Sequence, residues 1–270
     1  MAPTHPLRSG RSENVSSGAV RWVFLREDRL LVPEEGPVSL PNHAPESPPR
    51  VFPLGRINGF DCQAAVVSSD QPAPPGFQWR RLRELLDQLP ETEFQVAGTA
   101  LHLFHWDRSH RFCPGCGAPL PPLSAETWTK SCSACTAVHH PRIAPAIIVR
   151  VTRGDQILLA RSVRYPTRPI FSVIAGYVEA GETLEAAVQR EIEEEVGLAV
   201  RNVRYFDSQP WPFSGALMVA FTADHADGDI VVDGREILEA DWFSPDNLPP
   251  LPPPGSVSRR LIDQFVWTSQ

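Results

Sequence analysis

The sequence predicts an α+β protein whose C-terminal half contains a mixed β-sheet enclosed by helices. After residue 140, short apolar runs of strand length alternate with two amphipathic helical segments, and this alternation suits a sheet that helices cover. Residues 20–110 carry a smaller set of strand-like runs followed by helical segments, which predicts a small α+β domain. A cysteine-rich segment of different composition, residues 111–140, lies between the two regions.

Composition limits the kinds of function that the chain can have. Its 270 residues are 42% hydrophobic and 21% charged, as in globular proteins. The net charge of −7 and the isoelectric point of about 5.6 argue against a general nucleic-acid coat, but they do not exclude an enzyme that grips one end of a nucleic acid. No apolar run approaches the roughly 18 residues of a membrane span, and residues 1–19 lack the apolar core of a signal peptide. We therefore expect residues 1–19 to be a disordered lead-in and the compartment to be cytoplasmic.

The elements of the N-terminal domain follow from local patterns. Val20–Pro33 predicts two short strands around a polar turn, and residues 50–67 give further strand signals after a proline-rich loop. Residues Trp79–Leu89 carry leucines at helical spacing and are followed by Pro90, which predicts a helix that ends there. Residues 93–110 are apolar enough for a second helix. No pattern in this domain indicates catalytic chemistry.

Four of the five cysteines form two C-x2-C pairs separated by 15 residues, a spacing typical of a zinc ribbon. Each pair lies on a tight turn, and two such turns can complete a tetrahedral thiolate shell. Because cysteine fills all four ligand positions, no position is left for water and the predicted Zn²⁺ site is structural. Four unrelated reduced cysteines are the alternative. The ribbon is predicted over residues 111–140, with the ligands Cys113, Cys116, Cys132 and Cys135.

The C-terminal domain is predicted over residues 141–270. Two apolar runs within 144–161 predict a β-hairpin, and a carboxylate-rich helix follows between Thr183 and Gly197, a residue type that commonly ends helices. The remaining predicted elements are strands within 203–228, a loop with a short helical start at 236–255, and an amphipathic helix at 256–267.

Carboxylates crowd one face of the predicted helix. Glu191, Glu194 and Glu195 stand at positions i, i+3 and i+4, where like charges repel one another. Apolar residues supply another face, so the helix is amphipathic and packed. A packed helix with such a cluster needs cations, and hard oxygen ligands suit Mg²⁺ or Mn²⁺ rather than Zn²⁺. The alternative is a salt-bridged surface without a metal.

The segment from Gly176 to Leu198, GYVEAGETLEAAVQREIEEEVGL, matches a longer pattern. It agrees at every fixed position with G-x5-E-x7-R-E-U-x-E-E-x-G-U, where U is aliphatic, and so it resembles the Nudix box. The resemblance implies a Nudix hydrolase, an α/β/α sandwich that cleaves a diphosphate joined to another group. It implies that Arg190 orients a glutamate, and Glu195 is the candidate for activating water unless the metal alone acidifies it. The implied catalytic residues are Arg190, Glu191, Glu194 and Glu195, and the implied Mg²⁺ or Mn²⁺ ligands are the Ala175 carbonyl, Glu191, Glu194, Glu195 and Glu236.

A second motif narrows the resemblance. Residues Ser208–Met218 resemble the SQPWPFPxS motif of the NADH pyrophosphatase subfamily, except that Ser214 replaces a proline and Ala216 the final serine. His140 stands where relatives carry a tyrosine that reaches the nicotinamide pocket of the partner subunit. The substrate-binding residues that the resemblance implies are Tyr177, which matches an aromatic that stacks on the nicotinamide, and His140, Ser208, Gln209, Trp211, Phe213, Met218 and Ser258.

The resemblance covers roughly residues 20–267 and implies a homodimeric enzyme. With Mg²⁺ or Mn²⁺ it should hydrolyse NADH or NAD⁺ to nicotinamide mononucleotide and AMP, and it should remove NAD caps from RNA. Two alternatives stay open. One is a Nudix hydrolase of another nucleoside diphosphate derivative such as ADP-ribose, and the other is a zinc-ribbon nucleic-acid-binding module with an inactive Nudix fold. The sequence neither ranks the physiological substrates nor decides whether Glu239 joins the metal site.

Overall fold

A computed structural model describes residues 20–42, 50–57, 60–123, 128–163 and 169–268. The chain forms two compact units: Met1–Arg142 with Pro212–Ser214, and Ile143–Trp211 with Gly215–Gln270. The predicted lead-in over residues 1–19 lies outside the described residues, and the predicted domain boundaries near residues 110 and 140 stay a prediction. None of the described helices is both long enough and apolar enough to cross a membrane.

The first unit contains a five-stranded sheet. Its strands are β1 (Arg21–Arg26), β2 (Arg29–Pro33), β3 (Arg50–Ile57), β4 (Phe60–Val66) and β5 (Phe77–Arg81). They lie in the order β3-β4-β1-β2-β5, and the antiparallel pairing of β1 with β2 confirms the two strands predicted around the polar turn. Side chains along β1 alternate between two faces: Trp22 and Phe24 stack at 5.9 Å, while the alternate residues Val23 and Leu25 are fully buried.

The helix predicted over Trp79–Leu89 is wrong. Residues up to Arg81 belong to β5, whose backbone pairs with β2, and a 3-10 turn follows over Leu82–Leu85. Because β2 takes the first part of the segment as its sheet partner, little chain remains before Pro90. The leucines of the periodic pattern are nevertheless buried, so the pattern located an apolar face but not the backbone geometry. The second predicted helix is confirmed as α1, Glu91–Ser109.

A small ribbon of two antiparallel strands follows α1 in the sequence. Its strands are β6 (Lys130–Ser131) and β7 (Val138–His139). Each cysteine pair lies on a turn of the same construction: the amides of Gly117 and Thr136 donate to the carbonyl of the cysteine four residues earlier, at 2.8 and 3.0 Å. Both residues have positive φ, 76° and 60°, a conformation that is free for glycine but strained for threonine.

A buried ion pair connects the ribbon to α1 within the first unit. Lys130 is 2% exposed, and its Nζ lies 3.0 Å from Oδ1 of Asp107 and donates to the carbonyl of His110 at 2.7 Å. Arg50 approaches the other carboxylate oxygen of Asp107 at 2.6 Å. Burial alone would raise the pKa of Asp107, but the hydrogen bond from Lys130 and the charge of Arg50 hold it below its ordinary value. The charged pair therefore contributes stability above the unfolded-state pKa, and this contribution is lost as the pH falls through the folded-state pKa.

The second unit contains a six-stranded mixed sheet. Its strands are β8 (Ala144–Arg153), β9 (Gln156–Ser162), β10 (Ile174–Tyr177), β11 (Ala199–Trp211), β12 (Ala216–Asp227) and β13 (Ile237–Phe243). They lie in the order β11-β12-β8-β9-β13, and β10 pairs with β8. The antiparallel pairing of β8 with β9 confirms the predicted hairpin.

Helices cover both faces of this sheet. Helix α2 (Leu184–Val196) packs in one core with Ile147 and Val149 of β8, whereas α3 (Val257–Thr268) packs in a second core with the intervening Ile148. Alternating residues of one strand therefore enter two separate cores, one on each face of the sheet. This arrangement confirms the predicted α/β/α sandwich.

The segment 236–255, predicted as loop with a short helical start, instead begins with strand β13. Ile237–Phe243 pairs antiparallel with β9, which lies about 80 residues earlier in the sequence. The carboxylates of Glu236 and Glu239 do not share a helical face, because the segment that follows Glu236 is extended. A local pattern cannot reveal a partner so distant in the chain, and this is why the strand was missed.

Replacing Asp107 with asparagine should strongly destabilise the first unit. The variant removes the negative charge that faces the buried ammonium group of Lys130. Removing one partner of a buried ion pair costs about 3–5 kcal/mol in the free energy of unfolding. Urea unfolding of the protein at neutral pH measures the change in the free energy of unfolding. The matched change Asp87→Asn at an exposed position should alter it by no more than about 0.5 kcal/mol. Equal stabilities of the two variants would contradict this interpretation of the buried pair.

Candidate active site

Helix α2 is anchored at both ends. The side chain of Thr183 accepts a hydrogen bond from the amide of Ala186 at 3.2 Å and caps the first turn. Gly197, with a φ of 71°, ends the helix and donates from its amide to the carbonyl of Glu193 at 3.0 Å. The rotation of the helix about its axis is set by four fully buried side chains: Ala187, Val188, Ile192 and Val196.

The carboxylates of α2 differ in exposure. Glu191 and Glu195 are buried, at 9% and 6% exposure, whereas the side chain of Glu194 is 62% exposed. Burial is the largest cause that raises the pKa of Glu191, and the hydrogen bond from Arg190 opposes it. The charges of Glu194 and Glu236 raise this pKa further, so both carboxylates act on the same buried group. A cation at this position would relieve the repulsion.

Arg190 connects three carboxylates and one backbone carbonyl. Its guanidinium donates two hydrogen bonds to Glu182, at 2.8 and 2.9 Å. It also donates to Glu191 at 2.9 Å, to Glu194 at 3.0 Å and to the carbonyl of Tyr177 at 3.0 Å. The hydrogen bonds to Glu182 are the largest cause that raises the pKa of Arg190 above its ordinary value. They are also the largest cause that lowers the pKa of Glu182. Arg190 therefore ties the loop before α2 to the carboxylate face of the helix.

Gly176 leaves room for the carboxylate of Glu191. A Cβ atom on Gly176 would occupy the space that this carboxylate fills, so only glycine fits at the position. Gly176 lies in β10, opposite Ile147 of β8, and the adjacent Ala175 lies opposite Ile148. Strand β10 thus brings the backbone of the predicted Ala175 ligand into the neighbourhood of Glu191.

Asp233 is a positioning residue that the sequence analysis missed. Its amide donates to the carbonyl of Glu195 at 3.1 Å, and its carboxylate accepts hydrogen bonds from the amides of Glu236 and Ile237 at 3.0 and 2.9 Å. Burial would raise the pKa of Asp233, but these backbone amides lower it. Asp233 thereby holds the predicted ligand Glu236 at the end of α2. The Asp-Gly pair at 233–234 was the available signal, because this pair is typical of tight turns.

Glu239 has a partner elsewhere in the sheet. Arg161 donates to its carboxylate from Nε at 3.3 Å and from Nη2 at 3.1 Å. Among the described residues, the four-cysteine group alone brings three or more His, Cys, Asp or Glu ligand atoms within 4.8 Å of one another. The predicted carboxylate ligands are therefore spread more widely than that. Their oxygen donors and the raised pKa of Glu191 suit a hard divalent cation.

The four predicted zinc ligands come together. Their sulfur atoms lie within 4.8 Å of one another, with Cys113 and Cys135 at 3.6 Å and Cys116 and Cys132 at 3.5 Å. Zinc–sulfur bonds of about 2.3 Å in a tetrahedron require sulfur atoms about 3.8 Å apart, so the cluster fits Zn²⁺. His139 is not needed as a ligand, but its Nε2 lies 3.4 Å from the sulfur of Cys113, within hydrogen-bond distance.

The predicted substrate-binding residues divide into structural and exposed positions. The side-chain amide of Gln209 makes two hydrogen bonds with the backbone at the start of α3. Its nitrogen donates to the carbonyl of Gly255 and its oxygen accepts from the amide of Val257, each at 2.8 Å. Ser258 is buried, and its hydroxyl lies 2.6 Å from that of Ser172. Both contacts position the start of α3, which the motif spacing did not indicate.

The other predicted contacts lie in different surroundings. Tyr177 is 46% exposed, so much of its ring is open to solvent. Met218 packs against the core around α3 and lies opposite Gln209 in the neighbouring strand. Ser208 and Trp211 are half-buried in β11, His140 is exposed in the first unit, and Phe213, also of the first unit, lies 4.6 Å from the Arg83 guanidinium.

Gly176→Ala should weaken binding of divalent cations, because the added methyl group displaces the carboxylate of Glu191. A misplacement of about 1 Å in such a site can cost on the order of 100-fold in function. Titration of Mn²⁺ followed by electron paramagnetic resonance measures the affinity directly. Ala180→Ser adds one atom at an exposed position of the same loop and serves as the control. Unchanged Mn²⁺ affinity in the Gly176 variant would show that cation binding does not depend on the close approach of the Glu191 carboxylate to Gly176.

His139→Ala should reduce zinc affinity by about 10–100-fold, because it removes a group that can hydrogen-bond to a ligand sulfur. Competition with a coloured zinc chelator measures this affinity. The matched variant His140→Ala alters an adjacent exposed histidine and should retain zinc as the unmodified protein does. Identical zinc affinities of the two variants would contradict a role for His139.

Family models match both parts of the chain. The NUDIX domain model matches residues 140–265, and the model for the NADH pyrophosphatase-like rudimentary NUDIX domain matches residues 20–106. The second match identifies the N-terminal α+β domain, which the sequence analysis left without a family of its own. Together the two matches cover most of the described residues.

Two curated relatives agree with these models, and one solved structure is reported beside them. The NAD-capped RNA hydrolase NudC of Klebsiella pneumoniae (strain 342) is 54% identical over 185 residues, which cover 68% of this chain and 71% of that protein. The NAD-capped RNA hydrolase NudC of Citrobacter koseri is 44% identical over 255 residues, covering 91% and 92%. A solved NUDIX hydrolase from Nitrosomonas europaea is 24% identical, with a TM-score of 0.46 over 58% of this chain and 88% of that one. The two family models and the two NudC relatives show that the chain belongs to the Nudix hydrolase family, within the NADH pyrophosphatase and NAD-capped RNA hydrolase subfamily.

Proposed function

We propose that the chain hydrolyses the pyrophosphate bond of NADH and NAD⁺, and that it removes NAD caps from the 5′ ends of RNA. The observation that carries the hydrolase assignment is the carboxylate face of α2, which Arg190 ties to the loop before the helix. The choice of substrate follows from the relatives at 54% and 44% identity, both named NAD-capped RNA hydrolases. The products from NADH would be reduced nicotinamide mononucleotide and AMP.

The chemistry suits the donor set of the site. Mg²⁺ or Mn²⁺, held by the Ala175 carbonyl and the four carboxylates of Glu191, Glu194, Glu195 and Glu236, would neutralise the pyrophosphate and acidify water. Glu195, which is 6% exposed, is proposed to take the proton of the attacking water. The water oxygen bonds to one phosphorus, the anhydride bond to the bridging oxygen breaks, and each product leaves as a phosphate monoester. Arg190 keeps Glu191 and Glu194 in place during this step.

Tyr177 is proposed to stack on the nicotinamide ring. Its side chain is exposed, and Arg190 holds its carbonyl, so the backbone that carries the ring is held by the same guanidinium that arranges the carboxylates. Gln209 would act indirectly, because both ends of its amide hold the backbone before α3. Direct contacts from Ser208, Trp211, Phe213, Met218, Ser258 and His140 remain predictions.

The four-cysteine cluster is proposed to hold structural Zn²⁺, since its sulfur spacing fits a tetrahedral shell and cysteine fills all four positions. We infer a cytoplasmic homodimer from the resemblance, in which His140 would serve the partner subunit's pocket. Its exposed position is compatible with such a contact. Light scattering coupled to size-exclusion chromatography measures the oligomeric state.

Replacing two carboxylates should strongly slow hydrolysis while the protein stays folded. The purified protein with Mg²⁺ should cleave NADH, NAD⁺ and NAD-capped RNA, with a preference over ADP-ribose. Glu194→Gln combined with Glu195→Gln should lower kcat for NADH by at least about 100-fold, because proton transfer and metal binding are both impaired. Liquid chromatography of the nucleotide products measures each rate.

The control for this experiment is Glu193→Gln, a change at an exposed position on the same helix that should leave kcat nearly unchanged. Binding of NAD-capped RNA without turnover by the unmodified protein would favour the nucleic-acid-binding alternative. Equal rates on ADP-ribose and NADH would overturn the proposed substrate preference and leave the hydrolase assignment intact.

A further inference from the structure

A cavity of about 430 Å³ lies in the first unit, where the beginning of β3, the end of α1 and the ribbon meet. Its size falls in the range of about 300–1,000 Å³ that is typical of ligand clefts. Charged side chains, one aromatic ring and a run of prolines with Leu120 line it. Its charged and aromatic side chains belong to Arg50, Asp107, Arg111, Phe112 and Lys130.

The cavity carries positive charge in an acidic protein. Three cationic side chains accompany one carboxylate, whereas the whole chain has a net charge of −7. Lys130 is 2% exposed and is engaged by Asp107, and Arg50 shares the same carboxylate while its side chain stays 39% exposed. Arg111 is exposed, and its side chain makes no ion pair or hydrogen bond within the part of the chain that the structure describes. The excess charge is therefore available to an anion.

An exposed aromatic ring stands beside these cations. Phe112 is 59% exposed although its backbone is held in place. Phe112 forms an antiparallel β-bridge with Pro119. Two backbone hydrogen bonds flank this bridge. The amide of Leu120 donates to the carbonyl of Arg111 at 2.9 Å, and the amide of Cys113 donates to the carbonyl of Ala118 at 2.8 Å. A large apolar ring on a rigid backbone offers a flat surface for stacking at little entropic cost. Nothing in the proposed hydrolytic site uses this ring.

We propose that this cavity binds one nucleotide of single-stranded RNA, with its base stacked on Phe112 and its phosphate held by Arg111 and Arg50. Cationic grooves with aromatic side chains are the usual means of holding single-stranded nucleic acid, because a base offers a flat face and its phosphate a charge. A duplex would be excluded, since its bases are already stacked on one another. The occupant would be the RNA body of an NAD-capped transcript, so the inference rests on the proposed function.

The site would make capped RNA a better substrate than NADH. NADH ends at its adenosine, whereas a capped transcript continues with nucleotides that can occupy a second site. Binding energy from a part of the substrate far from the reacting bond raises kcat/KM for the longer substrate alone. The basic cavity also explains how an acidic chain can hold RNA without a broad basic surface.

The test compares the unmodified protein with the double variant Arg111→Gln, Phe112→Ala. Fluorescence anisotropy with a short, 3′-labelled single-stranded RNA without a cap measures RNA affinity, and product analysis measures kcat/KM for NAD-capped RNA and for NADH. We expect the affinity for uncapped RNA and kcat/KM for capped RNA each to fall by about tenfold or more, with kcat/KM for NADH unchanged. Arg201→Gln, a change at an exposed arginine of the second unit, is the matched control and should alter none of these values.

Two outcomes would overturn the site: unchanged RNA affinity in the double variant, or an equal loss of kcat/KM for NADH and capped RNA. Failure of the proposed function is a separate result, because the unmodified protein would then cleave neither NADH nor capped RNA. The comparison of RNA affinities would still show whether the cavity binds RNA. Zinc content, measured on each variant, reports the integrity of the ribbon. If the double variant loses zinc, Arg111→Lys and Phe112→Leu decide the question, because the first should keep most of the affinity and the second should lose it.

Discussion

The guanidinium of Arg190 is the contact on which the candidate active site depends. Three carboxylates and a backbone carbonyl would repel one another at this position, and a single planar cation satisfies all four with hydrogen bonds of 2.8 to 3.0 Å. Two of these bonds run to Glu182, outside the helix, so the loop and the helix cannot move independently. A lysine could carry the same charge but could not reproduce this fork of donors.

The rest of the sandwich keeps this guanidinium in place. Buried apolar side chains of α2 set the rotation of the helix, and Gly176 leaves the space that the carboxylate of Glu191 occupies. Asp233 then links the carbonyl of Glu195 to the amide of Glu236, which brings a carboxylate from outside the helix to its end. Together these contacts hold, on the α2 face of the sheet, the carboxylates that a divalent cation would need.

What could be predicted from the sequence was local. The capping residue, the amphipathic period and the terminal glycine of α2 all lie within one short segment, and the cysteine spacing likewise defines its own turns. Trp79–Leu89 and Ile237–Phe243 were misassigned because their strands are decided by β2 and β9, partners that no local pattern contains. The pair of Asp107 and Lys130 was missed for the same reason, because its charges become partners only when α1 and the ribbon pack together.

The most direct test of the role of Arg190 is the kcat/KM for NADH of the Arg190→Lys variant, measured together with its thermal unfolding. Lysine keeps the charge but loses the fork, so the carboxylates should shift while the apolar core of α2 remains. We predict a loss of about 100-fold in kcat/KM with a nearly unchanged unfolding temperature. A variant that keeps the full kcat/KM would show that charge alone suffices, and it would contradict the account of a geometrically constrained site.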